Sequence, residues 1–138
     1  MTSSPHYTAG VRPTILLVDD YADALPAWET FLHAEGFDVL TAATGRDALS
    51  CAILEKPDLV VLDLDLPDIP GCEVAHALRS RDDTRRIPLI AATGYSHGAQ
   101  FDQARNAGFD AIIVKPCEPV TLIAEIRRLL GTDRSSIS

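Results

Sequence analysis

The sequence predicts an α/β domain built on a five-stranded parallel sheet, doubly wound by helices. Three observations predict it. Five short aliphatic runs recur along the chain, each run is continuous rather than alternating, and a segment with helical punctuation follows each one. A strand covered on both faces by crossover helices has no polar face, so it reads as an unbroken apolar run. Five such strand–helix units within about 120 residues fit one domain with right-handed crossovers.

The first run, Ile15–Val18, leads into a helix that Asp23 can cap, with Leu25, Trp28 and Leu32 on its apolar face and Gly36 just past its end. Pro26 then falls in the first turn, where the backbone has no intrahelical hydrogen bond to lose. The second run, Val39–Ala42, precedes Thr44 and Asp47, a capping-box pattern for a helix that runs through Glu55 and ends at Pro57. The third, Leu59–Leu62, is followed by a short helix from Gly71 to Arg79, with Val74, Ala75 and Leu78 inward. The fourth, Leu89–Ala92, precedes the most polar helical segment, Ser96 to Asn106, whose inward residues are Phe101 and Ala104. After the fifth, Ala111–Val114, Glu118–Pro119 opens the last helix with proline at its first position. Leu122, Ile123, Ile126, Leu129 and Leu130 form its stripe, and Gly131 stops it. Residues 1–12 and 132–138 are small and polar and read as flexible tails around a domain at 13–131.

Apolar residues make up 46% of the 138 and charged residues 23%, which is the balance of a globular chain and not of a disordered one. A formal charge of −8 argues against nucleic acid as a partner, since phosphate backbones are held by clustered Lys and Arg. Cys51, Cys72 and Cys117 are odd in number and far apart, with neither disulfide nor zinc spacing. His6, His33, His76 and His97 are scattered and read as surface or packing residues. The start lacks the charged and apolar segments of a secretory signal, and no apolar run is long enough to cross a membrane. A cytoplasmic setting without membrane contact is expected.

Doubly wound sheets bind ligands at the carboxyl ends of their strands. The first run is followed by Asp19 and Asp20, the third by Asp63, the fourth by Thr93 and the fifth by Lys115. Three carboxylates, one hydroxyl and one ammonium are thus expected at one edge, with no basic residue among the acids. Taken singly, each has a plain structural use: an Asp after a strand caps helices or forms turns, Thr93 can satisfy a turn, and Lys115 can be a surface lysine. Their joint placement at four of five strand ends makes that account improbable. Crowded carboxylates repel and raise one another's pKa unless a cation intervenes. Mg²⁺ suits such a pocket, because it takes oxygen ligands, keeps several waters and accepts phosphate oxygens. Lys115 and Thr93 can hold further phosphoryl oxygens, and an Asp nucleophile can form an acyl phosphate.

With these residues in place, the chain resembles the response-regulator receiver family over roughly residues 13–131. The matching motifs are LLVDDYADAL, PDLVVLDLDLPDIPGCEV, IPLIAATGYS and GFDAIIVKP. Asp63 to Thr93 spans 30 positions and Thr93 to Lys115 spans 22, as in that family, and Pro67 and Gly71 follow the acceptor at family spacing. The resemblance implies a flavodoxin-like sheet of order 2-1-3-4-5, with Asp63 as phosphoacceptor and Thr93 and Lys115 as the switch hydroxyl and the phosphoryl-binding lysine. It implies a Mg²⁺ or Mn²⁺ ion held by Asp19, Asp20, Asp63 and the backbone carbonyl of Asp65, and a cis Lys115–Pro116 bond.

It further implies a phosphodonor that is a sensor histidine kinase or histidine phosphotransfer protein, met near Tyr21 and Ala22, and leaves room for a homodimer. Such a domain catalyses its own phosphorylation and dephosphorylation without being a conventional enzyme. Only seven residues follow Gly131, so output is expected through partner binding or onward phosphotransfer. Two positions depart from the family. Ile112 stands three before Lys115, where the family usually has an aromatic ring that turns inward with the threonine, so output by that coupling is expected to be weakened or rerouted. Asp65 puts an acid two after the acceptor, where it can tune metal affinity or acyl-phosphate lifetime.

Two other functions fit parts of the pattern. Asp63-Leu64-Asp65 mimics the DxD motif of haloacid-dehalogenase-type phosphohydrolases, although it follows the third strand and has Pro67 in place of the later Thr or Val. A degenerate receiver, serving only as a docking module, would account for Ile112.

Overall fold

The computed structural model describes residues 12–19, 24–94 and 99–131. Each apolar run becomes a strand: β1 (Thr14–Val18), β2 (Asp38–Ala42), β3 (Leu59–Asp63), β4 (Leu89–Thr93) and β5 (Ala111–Val114). The helices between and after them are α1 (Ala24–Ala34), α2 (Gly45–Glu55), α3 (Gly71–Arg79), α4 (Ala99–Asn106) and α5 (Pro119–Leu130). All strand pairs are parallel and their order is β2-β1-β3-β4-β5, so the chain reverses direction across the sheet between β1 and β3.

Two apolar layers follow from strand alternation. Leu16, Val18, Val60 and Leu62 point to one face, where Ala48 and Ala52 of α2 and Val74, Ala75 and Leu78 of α3 close over them. Ile15, Leu17, Leu59 and Val61 point to the other, beneath Leu32 of α1 and Leu122, Ile123 and Ile126 of α5. Burial of both faces is what makes the central runs continuous. The edge strands differ: Asp38 and Thr41 of β2 and Val114 of β5 are exposed, because an edge strand has one neighbour only.

The helix ends agree with their sequence signals wherever those are described. Thr44 accepts from the Asp47 amide at 3.1 Å, and α2 ends on Lys56 in a left-handed conformation, one residue before Pro57. Pro119 opens α5, and Gly131 closes it at φ +75°. Asp23 lies outside the described residues, as do Tyr21, Ala22, Ser96 and His97. Arg12, assigned from sequence to the N-terminal tail, is instead tied to the domain: it donates to Asp38 at 3.0 Å and to the carbonyls of His33 and Phe37.

At the amino edge of the sheet, Arg79 joins two loops. Its guanidinium donates to the carbonyls of Arg85, Ile87 and Gly108 and to the Asp110 carboxylate. Asp110 in turn accepts from the Leu89 amide at 2.8 Å, which sets β4 beside the start of β5.

Candidate functional site

The strand ends are aligned by register. Val18 pairs with Leu62, Asp63 with Ala92, and Thr93 with Val114. Three amides extend this ladder one step beyond the strands: Asp19 N–H donates to Ala42, Leu64 N–H to Ala92, and Lys115 N–H to Thr93. The backbone thereby carries Asp19, Asp63, Thr93 and Lys115 to one edge before any side chain contributes.

Their side chains meet there. The Lys115 ammonium donates to Asp63 Oδ2 at 3.3 Å and lies 3.6 Å from Asp19 Oδ2. This corrects one sequence expectation: a basic group does stand among the acids, supplied by β5 from the far side of the sheet. Asp63 and Thr93 are buried, while Lys115 and Asp19 are partly open to solvent. The remaining Asp63 oxygen, Oδ1, accepts from the Asp65 amide at 3.0 Å. Asp65 itself is exposed, and the Lys115–Pro116 bond is cis.

Electrostatics follow from this placement. Burial pushes the Asp63 carboxyl above the usual carboxylate range and Asp19 adds to that, against the opposing pull of the Asp65 amide and Lys115. Burial would lower the lysine, but the Asp63 and Asp19 carboxylates outweigh it and hold Lys115 above its ordinary value.

Two hard oxygen donors, Asp19 and Asp63, converge on one cationic centre, the Lys115 ammonium, and carboxylates so placed suit a hard divalent ion in their chemistry. Among the described residues no three His, Cys, Asp or Glu side chains gather as a metal cage. Asp20, the further acid expected from sequence, lies outside the described residues.

The loop after Asp63 is shaped by glycine. A Cβ on Gly71 would lie 2.8 Å from both the Asp63 carbonyl oxygen and Leu64 Cα, so only glycine lets α3 begin against the end of β3. Gly71 N–H donates back to the Leu64 carbonyl at 3.1 Å and closes the loop. Beside the acids, Ala24, Trp28, Pro116 and Cys117 line an open groove of about 430 Å³ together with Asp19 and Lys115. Trp28 and Cys117 were not singled out from sequence as site neighbours: Trp28 reads there as part of an apolar helix face, and Cys117 only as a cysteine without disulfide or zinc spacing.

The model of the response regulator receiver domain matches residues 15–127. The chain belongs to that family. It is 30% identical over 118 residues to the polar-differentiation response regulator DivK of Brucella anthropi, covering 86% of this chain and 96% of DivK. It is 35% identical over 123 residues to the transcriptional regulatory protein PrrA of Mycobacterium tuberculosis, covering 89% of this chain but 52% of PrrA. The same receiver unit thus makes up nearly all of one relative and about half of another. Among solved structures it is similar to the receiver domain of a sensor histidine kinase from Pseudomonas aeruginosa, which has a magnesium ion coordinated in its active-site cleft. That likeness has a TM-score of 0.82 at 26% identity, over 88% of this chain and 99% of the other.

Receiver domains are signalling modules of two-component systems, and this one has their five-stranded fold. Among the described residues, no helix is long and apolar enough to cross a membrane.

Proposed function

We propose that this receiver accepts a phosphoryl group on Asp63 from a phosphohistidine of a sensor histidine kinase or a histidine phosphotransfer protein. The observation that carries the reading is the convergence of buried Asp63 with Lys115 and Asp19 at one edge of the sheet. An Asp63 carboxylate oxygen forms the new P–O bond while the P–N bond of the donor breaks. The electron pair of that bond stays on the imidazole nitrogen. The Asp65 amide and Lys115 favour the ionised, nucleophilic form of Asp63 against its burial. Lys115 then turns to a phosphoryl oxygen, and Thr93, at the end of the adjacent strand, supplies a hydroxyl to another.

Asp19, Asp20, Asp63 and the Asp65 carbonyl would hold Mg²⁺ or Mn²⁺, which when bound supplies charge neutralisation for the phosphoryl oxygens. In this reading the domain spans about 12–131, works in the cytoplasm and hydrolyses its own acyl phosphate. It signals by partner binding or onward phosphotransfer, and a homodimer is compatible with it. Exposed Asp65 can tune metal affinity or phosphate lifetime; equal values of both in Asp65→Asn would remove that role.

Incubation with acetyl phosphate and Mg²⁺, followed by intact mass and peptide mapping, tests the reading. One adduct per chain, located at Asp63, is expected. No adduct, or sustained turnover of a small phosphate ester without one, would overturn it.

A further inference from the structure

The first turn of α2 is held from outside the helix. Its N-terminal amides, Gly45, Arg46 and Asp47, have no acceptor within the helix. Thr44 takes the Asp47 amide, whereas the other two go to Asp68, in the loop between Asp63 and α3. Gly45 N–H donates to Asp68 Oδ1 at 2.7 Å and Arg46 N–H to Oδ2 at 3.0 Å, across 23 and 22 residues of sequence. The loop lies tight on the helix there: a Cβ on Gly45 would come within 3.0 Å of Ile69 Cβ.

This loop is the one that carries the Asp63–Asp65 turn. Its ends are closed by the Gly71–Leu64 hydrogen bond, and Leu66 and Ile69 rest against the apolar layer under α2 and α3. Such packing resists lifting but little resists sliding. The Asp68 bonds are directional and charge-assisted, and they sit where a helix end favours an anion. Slight desolvation pushes the Asp68 carboxyl up, but the Gly45 and Arg46 amides pull it below its ordinary value, so the clamp carries its charge throughout the neutral range.

We propose that Asp68 is a positioning residue: by clamping the loop after Asp63 to the start of α2, it holds the Asp63–Asp65 turn in the shape that presents oxygens to a divalent cation. This rests on the metal-assisted reading above and assigns its geometry to a residue that touches neither ion nor phosphate.

The test is a titration with Mg²⁺ alone, followed by the backbone amide shifts of residues 63–68, in the unmodified protein, Asp68→Ala, Asp68→Asn and Thr44→Ala. Asp68→Ala is expected to weaken Mg²⁺ affinity by about three- to tenfold, less than the roughly 10–100-fold of a residue bonded directly to a metal ligand, because Asp68 acts through the loop. Asp68→Asn keeps one acceptor oxygen and is expected to fall between the two, so the comparison survives even if the alanine variant fails to fold. Thr44→Ala frays the same helix end without releasing the loop, and its affinity is expected to stay within about twofold, since no oxygen near the ion moves. Unchanged affinity in both Asp68 variants would overturn the clamp, as would an equal loss in Thr44→Ala. No Mg²⁺ binding by the unmodified protein would instead overturn the functional reading on which the clamp rests.

Discussion

The Lys115 ammonium lies 3.3 Å from the Asp63 carboxylate across the carboxyl edge of the sheet, and it reaches Asp19 as well. It therefore holds the charge position that a divalent ion would share. Lys115→Met is expected to change two quantities in opposite directions. Mg²⁺ affinity at pH 7 should rise several-fold because a competing positive charge is gone. Acetyl-phosphate labelling should slow by about tenfold or more, because the phosphoryl oxygens lose a donor. A metal titration and a labelling time course on one preparation check both.

Asp63→Asn should abolish labelling and stabilise the fold. A carboxyl whose folded-state pKa is raised favours folding when protonated, and that contribution is lost as pH rises through the folded value. Asparagine removes the cost of ionising this buried group, so the variant is expected to be the more stable of the two at pH 7. The gap between variant and unmodified protein should narrow as pH falls through the carboxylate range. Urea melts at pH 7 and pH 4 measure it.

Gly71→Ala should disturb both stability and chemistry. The added carbon would meet the Asp63 carbonyl oxygen and Leu64 Cα, both backbone atoms, at 2.8 Å, so α3 or β3 must shift. A loss of about 1–3 kcal/mol is expected, as for other overpacked sites. Reduced labelling should accompany it.

Arg79→Lys should be nearly as harmful as Arg79→Ala. One ammonium cannot reach the Arg85, Ile87 and Gly108 carbonyls and the Asp110 carboxylate together. Both variants are expected to lose about 1–2 kcal/mol, since the partly buried Ile87 and Gly108 carbonyls lose their donor. Thermal melts check this, and the Mg²⁺ affinity of the folded fraction should be unchanged, because the loops concerned lie at the opposite edge.

Ile112 packs half-buried beside Leu64, Ala91 and Ala104 and has no ring to turn inward. Phosphorylation should therefore move the amides around Ile112 and α5 less than in receivers that carry an aromatic residue there. Equal shifts, measured by NMR, would reject a weakened or rerouted output.

The fold was legible because its signals are local or periodic. Each predicted run became a strand within one residue, and α3 runs from Gly71 to Arg79 as its apolar spacing implied. The convergence of Asp19, Asp63, Thr93 and Lys115 was legible for a related reason, since parallel strands of similar length bring the residues after them to one edge. What a continuous apolar run does not reveal is whether its strand is central or at an edge, so the exposure of Asp38, Thr41 and Val114 was not foreseen. Nor were Asp68 and Arg79 singled out as ties. Their partners are backbone atoms of distant loops, and no composition or period marks which loops will meet. The ammonium among the acids was missed likewise: Lys115 was read as a phosphoryl ligand, while its pairing depends on how far its side chain reaches back over β4.

The four groups of the site come from positions 19, 63, 93 and 115, on four different strand ends, and none is complete without the others. A nascent chain that has emerged through β4 already carries Asp63 but lacks the lysine that offsets its charge. Competence to be charged therefore arrives with the last strand. Under the proposed chemistry, a chain that lacks β5 would take up phosphate more slowly than the finished sheet.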